Sequence, residues 1–300
     1  MVSKILRVAG ALTVTVALSL LAIELLARGN NARERRKRAA LGDSLYARVN
    51  GDGGRPVIFI AGLQATSSYW GTSSDSLSDH HRLIYLDLLG FGNSPWPEAD
   101  YNLADQIGAI ERTLAQMGAT QDVTLVAHSF GTIVAAHYAA THPGEVRQIV
   151  LLGAPVFANE QEARERIWDM SRLAALFSLR PLIAREACLL MGAFRPQLQW
   201  LLPKIMNQYP DAVAADSVEH FWPLISGSID ILLESPIVVP LQAMGPTTTF
   251  IHGRSDTVTP LSRIHEAAAK IGASVIEFEG GHHTCVNRGA RDVLAAIRDQ

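Results

Sequence analysis

Cysteine is nearly missing from this chain of 300 residues. Cys188 and Cys285 are the only two, and neither lies in a C-x-x-C or Cys/His ligand spacing. That excludes a disulfide framework and the common zinc modules, and both cysteines read as packing residues. Charge is scarce as well. At 18% charged and 48% hydrophobic residues, the chain is too apolar for disorder and suits one sizeable domain with an insertion. Internal repeats and low-complexity tracts are missing. Basic charge is outnumbered in the body in particular. Residues 1–40 hold eight basic side chains against Glu24 and Glu34, which leaves 18 basic and 27 acidic side chains beyond them. An acidic body argues against nucleic acid as a partner. Beside an apolar run, the basic cluster fits an anionic lipid surface better.

That apolar run is Val8 to Ala27, VAGALTVTVALSLLAIELLA. About 20 residues is the length that crosses a bilayer core as a helix. Three readings compete: a membrane anchor, a cleaved signal peptide, and a buried helix of the main domain. Length and the following block Arg33–Arg38 (RERRKR) favour the anchor. Lys4 and Arg7 make a signal-like charged start, but no good A-x-A site precedes Arg28, and basic residues just after the run oppose export. The expectation is a single-pass anchor over 1–28, a basic linker over 29–43 on the membrane surface, and a catalytic domain on the cytoplasmic side. A secreted or periplasmic protein after signal cleavage is the alternative.

From Ser44 the pattern turns to short apolar runs alternating with helical spacing. Strands are expected at Ser44–Val49, Val57–Ala61, Arg82–Asp87, Val123–Ala127, Gln148–Leu152, Thr247–His252 and Ser274–Phe278. Helices are expected at Leu103–Met117, Thr132–Thr141, Leu261–Ile271 and Arg288–Arg298. Such alternation predicts an α/β fold with a mostly parallel central sheet covered on both faces. The rhythm breaks over 155–245, which has helical texture without a clear strand. The fold is thus expected as 44–154 and 246–300 around a helical insertion at 155–245.

One stretch carries chemistry: Ala127-His128-Ser129-Phe130-Gly131. A serine in a tight strand-to-helix turn needs small residues two before and two after it, and Ala127 and Gly131 satisfy that. Taken alone, Ser129 reads equally as a helix cap. A nucleophile needs a base and an orienting group. Asp256 follows the strand Thr247–His252, where a turn former is the ordinary reading. His282 and His283 follow the strand Ser274–Phe278 in a Gly-rich loop, where a surface histidine is the ordinary reading. In a parallel sheet all three loops fall at the carboxyl edge, where sites collect, and their agreement in the order Ser, Asp, His outweighs any one of them.

With these residues in place, the chain from about 44 to 300 resembles the α/β-hydrolase fold superfamily with a helical cap. Ile60-Ala61-Gly62-Leu63-Gln64 is similar to its oxyanion loop. Asp87 to Ser94 (DLLGFGNS) is similar to its D-x-x-G-x-G-x-S segment. Three departures stand out: Ala127 replaces the usual glycine, Ala61 stands where many members have histidine, and two adjacent histidines compete for the base, with His282 preferred because it follows Gly281.

The resemblance implies a serine hydrolase, with Ser129 as nucleophile, His282 as base and Asp256 as its orienting acid. It implies backbone N–H groups of Leu63 and Phe130 as the oxyanion hole, and neither a metal nor an organic cofactor. Serine at the elbow sets aside epoxide and halide chemistry and points to esters, thioesters, amides or a carbon–carbon bond beside a ketone; the lid and the anchor turn the expectation to a carboxylic ester, apolar or lipid-like. Trp168, Phe177, Trp200, Phe221 and Trp222 either line an apolar pocket or pack the cap on the core. The alternatives are a carbon–carbon bond hydrolase or perhydrolase with the same triad, and a non-catalytic membrane-anchored binding protein.

Overall fold

Short runs of aliphatic and β-branched residues, each bounded by turn formers, become strands because both of their faces are buried. In the computed structural model, the structure describes residues 2–170, 179–205, 221–243, 247–284, 293 and 295–297. Seven strands form one sheet: β1 Ala47–Asn50, β2 Arg55–Ile60, β3 His81–Leu86, β4 Val123–His128, β5 Val146–Leu152, β6 Thr247–Gly253 and β7 Ser274–Phe278. Their spatial order is β1-β3-β2-β4-β5-β6-β7. β1 runs antiparallel to β3, and all other neighbours are parallel.

The strands alternate their side chains between two cores, as a two-residue period requires. Ile58, Ile60, Leu125 and Ile149 face α2 (Leu103–Gln116), α3 (Phe130–Thr141) and the later helix Leu261–Ile271. Val57, Phe59, Val126 and Val150 face the short turns around Tyr69, Trp70 and Leu77, together with Val293 and Ile297. α2 starts at a capping box: the Asp105 N–H donates to Asn102 Oδ1 at 3.0 Å, and the Asn102 N–H donates back to Asp105 Oδ2. Such a cap stabilises a helix start by about 1 kcal/mol.

Between β5 and β6 lie helices α4 Glu160–Met170, α5 Pro181–Ala193, α6 Arg195–Ile205, α7 Trp222–Glu234 and α8 Val238–Gln242; α9 is Leu261–Ile271. Strand positions differ from the sequence expectation by a few residues at their ends. β1 begins at Ala47 rather than Ser44, and α3 begins at Phe130 rather than Thr132, directly after Ser129. Phe177, Cys285 and most of the helix expected at 288–298 lie outside the described residues. Cys188 is buried on α5, and burial pushes its thiol up to about 12, as suits an inert packing residue.

The structure bears on two readings of the N-terminal segment. First, α1 runs as one helix from Val2 to Arg38, so 29–38 is not a separate linker. The run NNARERRKR is rich in good helix formers. Second, the buried-helix reading is overturned: within the apolar part of α1 only 6% of the residues are buried. Leu12, Leu18, Leu20 and Leu25 are all exposed. By length and composition α1 is able to cross a membrane. Among its described side chains, those that meet the body lie in the C-terminal half. Ala27 and Arg38 are buried, and the small residues Ala184, Cys188 and Gly192 form the buried face of α5. A Cβ at Gly192 would lie 3.4 Å from the Ala27 Cβ.

Candidate active site

β4 ends at His128 and α3 begins at Phe130, so one residue makes the whole turn. Ser129 makes it at φ 50° and ψ −124°, a backbone state that costs a non-glycine residue about 1–3 kcal/mol. The surroundings hold it there. The Ser129 N–H donates to the Leu152 carbonyl at 2.9 Å, and the Thr132 N–H and hydroxyl both donate to the Ser129 carbonyl. A Cβ at Gly131 would collide with the Ala61 carbonyl oxygen, which is why the position after Phe130 must be glycine. The Ala127 methyl is accommodated in the core. The Ser129 side chain makes no capping bond, so the plain helix-cap reading does not describe it.

Instead, Ser129 Oγ lies 2.8 Å from His282 Nε2, and His282 Nδ1 lies 2.8 Å from Asp256 Oδ2. Burial alone would push the Asp256 carboxyl up. Its bond to His282, the charges of His282 and His252, and the Val258 amide outweigh that and leave it below the ordinary carboxylate range. Asp256 is therefore an ionised acceptor. His282 donates through Nδ1–H, and its Nε2 lone pair is turned to the Ser129 hydroxyl. Asp256 Oδ1 is held by the N–H groups of Val258 at 2.8 Å and Thr259 at 3.3 Å. Gly153, at φ 55°, leaves room for the imidazole: a Cβ there would sit 3.1 Å from His282 Nδ1.

Phe130 and the loop that carries Leu63 both lie beside Ser129. Phe130 opens α3, so its N–H is one of the amides without an intrahelical acceptor, at the positive end of the helix dipole. The loop carrying Leu63 passes close over the serine, since a Cβ at Gly62 would lie 3.2 Å from Ser129 Cβ. His283 points elsewhere. Its Nδ1 is 2.9 Å from the Tyr69 hydroxyl, and burial, with the charge of His282, pushes it down to about 4.

Other residues at the site went unremarked in the sequence. His128 donates from Nε2–H to the His282 carbonyl at 3.1 Å, and burial holds its pKa well below the ordinary value, so it is neutral. His252 donates to the Thr259 carbonyl at 2.8 Å and lies 3.7 Å from Asp256 Oδ2. His128 sits inside the elbow and could be read there. Tyr69, Gly153 and His252 carry no local signal.

The DLLGFGNS segment shapes the neighbouring loop. Asp87 accepts from the N–H groups of Ser67 at 2.6 Å and Asn93 at 2.8 Å, and the Ser94 hydroxyl donates to the Asp87 carbonyl. A Cβ at Gly92 would strike the Asp87 carboxylate. The insertion aromatics divide. Phe221 is buried against Trp96 and Tyr101, at ring separations of 4.4 and 5.1 Å. Trp200 faces outward beneath Lys204. Among the described residues, no group of three His, Cys, Asp or Glu side chains is set to hold a metal ion.

Known proteins share this arrangement of chain. A protein of Arabidopsis thaliana named probable lysophospholipase BODYGUARD 4 is 32% identical over 157 residues, covering 49% of this chain and 38% of that one. A cis-3-alkyl-4-alkyloxetan-2-one decarboxylase of Shewanella oneidensis is 30% identical over 112 residues, covering 36% and 35%. The match thus spans less than half the length of either relative. Among solved structures, an esterase from Exiguobacterium antarcticum superposes with a TM-score of 0.64 at 21% identity, covering 85% of this chain and 95% of its own, a likeness of fold. The family profile described as alpha/beta hydrolase fold matches residues 55–288. The chain belongs to the alpha/beta hydrolase fold family.

Proposed function

We propose that the protein is a serine hydrolase that cleaves a carboxylic ester with an apolar or lipid-like part, through an acyl-enzyme on Ser129. The observation that carries this is the unbroken relay of two 2.8 Å contacts from Asp256 through His282 to Ser129 Oγ.

Ser129 Oγ attacks the ester carbonyl carbon while His282 Nε2 takes its proton. Asp256 remains ionised, holds the tautomer and stabilises the imidazolium. The carbonyl oxygen becomes an oxyanion, which the N–H groups of Leu63 and Phe130 receive; one such donor lowers the barrier by about 3 kcal/mol. His282 returns its proton to the leaving alkoxide. Water then attacks the acyl carbon, again with His282 as base, and Ser129 is released. None of these steps draws on a metal or organic cofactor.

The relatives named as lysophospholipase and esterase support an ester as substrate. The inserted helices supply a cap. Leu224 of α7 reaches over Gly90, in the loop that follows β3, and a covered site favours a water-poor pocket. The localisation we infer is membrane attachment through α1. A signal peptide cut near Arg28 would remove Ala27, which is buried against the inserted helices. The basic residues after the apolar run favour a catalytic domain on the cytoplasmic side.

A fluorophosphonate probe tests the nucleophile. Labelling of the native protein and none of Ser129→Ala is expected. An unlabelled native protein, or equal labelling of the variant, overturns the reading. A p-nitrophenyl ester series set beside a vinylogous diketone distinguishes ester from carbon–carbon bond cleavage.

A further inference from the structure

The inserted helices carry an apolar face that the proposed chemistry does not use. On α5, α6 and Phe194 between them, Leu182, Leu190, Phe194, Trp200 and Ile205 are exposed, Leu182 by 79% and Trp200 by 67%. Part of this face is a trough of about 730 Å³ between Leu182, Ile183, Leu190, Met191, Phe194 and Leu198, with Glu186 at its wall. Large apolar side chains exposed around a trough of this kind mark a candidate interaction site.

The position of the face relative to α1 identifies its occupant. Asn30 Nδ2 donates to the carbonyls of Gly192 at 2.9 Å and Ala193 at 3.1 Å, and Arg195 Nη2 donates to Asn31 Oδ1 at 2.8 Å. Ala27 is buried beside Gly192. The end of α5 is thus fastened to the turn of α1 where the exposed leucines stop and the asparagines and arginines begin. If a bilayer takes up the leucines, its surface lies at this turn. α5 is about 20 Å long, so its exposed face cannot be far from that surface. The charges agree. Arg28, Arg33, Arg35, Arg36 and Lys37 follow the apolar run on α1, and Arg180, Arg185 and Lys204 flank the face. Of the acids nearby, Glu24 pairs with Arg28, Glu34 with Lys37 and Glu98 with Arg35, while Glu186 lies at the wall of the trough. Lys204 Nζ sits 3.2 Å from the centre of the Trp200 ring, an amphipathic pair suited to the headgroup layer.

We propose that the α5–α6 face is a second membrane contact, lying in the interface of an anionic phospholipid bilayer beside α1. The inference rests on the reading of α1 as an anchor and goes beyond it: the inserted helices, and not the N-terminal helix alone, touch lipid. The site beneath them would then draw its ester from the bilayer rather than from water.

The test uses the full chain reconstituted in vesicles of phosphatidylcholine and phosphatidylglycerol, with bromine on the lipid chains. The Trp200 signal is the difference between native protein and Trp200→Phe. Expected is quenching of that signal by the brominated lipid, with the protein retained after a carbonate wash. Retention with Trp200 unquenched and open to aqueous acrylamide overturns the docking face and leaves the anchor standing. Release by carbonate overturns the anchor, and this inference with it. Protection of Trp200 that grows with protein density, and not with the anionic lipid fraction, identifies a second copy as occupant and also overturns it. In the double variant Leu190→Glu with Phe194→Glu, turnover of a vesicle-borne ester is expected to fall about tenfold, while a short water-soluble ester is hydrolysed as by the native protein. Equal rates on vesicles overturn the proposal.

Discussion

Ser129 keeps a costly backbone state and gives up the capping bond that a serine at a helix start usually makes; its hydroxyl is turned to His282 instead. Asp256 stays charged although buried, because His282, His252 and two backbone amides surround it. Asp256→Asn would let His282 settle in the opposite tautomer, with Nε2 protonated and unable to accept from serine. A fall in kcat of about 10⁴-fold with the fold intact is expected, checked by ester hydrolysis beside circular dichroism. His283 offers a test of stability. Its pKa is about 4 in the folded protein and about 6.5 in an unfolded chain. The unfolded state therefore binds the proton first. This contribution is full above about pH 6.5 and is lost as the pH falls toward 4. His128 and His252, also lowered by burial, act with the same sign. Urea unfolding from pH 7 to 4 is expected to show a shallower loss for His283→Gln than for the native protein, and not a flat line.

At the scale of elements, close approach depends on small residues. Gly131 lets α3 start against the carbonyl of Ala61, and Gly192 lets α5 lie on α1 at Ala27. Gly192→Leu is expected to destabilise by about 1–3 kcal/mol through overpacking, read as a lower urea midpoint and faster proteolysis within 180–205. Gly29→Leu is the control. Its helix surface is open, with nothing near a Cβ there, and no loss is expected. Helix and strand positions were legible locally. β4 is buried along its whole length and is apolar but for Thr124 and its final histidine; α2 carries both its periodicity and its capping residues in sequence. The continuity of α1 was not legible as part of the body. Its basic segment has the composition of a solvated linker, and its partners lie some 160 residues away at Gly192, Ala193 and Arg195.

Across the whole molecule, one of the places where the inserted helices meet the α/β body is an aromatic cluster. Phe221 packs on Trp96 and Tyr101, and the guanidinium groups of Arg38 and Arg195 lie over the Trp96 ring at 4.4 and 4.8 Å. α1, the insertion and the loop after β3 thus share a single contact. Phe221→Ala is expected to cost about 3–5 kcal/mol, measured by chemical unfolding, with the loosened cap also lowering ester turnover.

Local physics determined much of this protein from the sequence alone. Strands follow from short buried runs, the elbow from small residues around Ser129, and the order Ser129, Asp256, His282 from loops that each follow a strand. Only the tertiary structure decided which of two adjacent histidines meets the serine, since one step along a turn sends His282 to Ser129 and His283 to Tyr69. It also decided that His128 supports the His282 loop from below, and that α1 rests on the inserted helices. Such contacts join residues far apart in the chain, and nothing in the neighbourhood of either partner encodes the other. They form because the folded chain brings a small residue, a carbonyl or a ring to where another side chain already points.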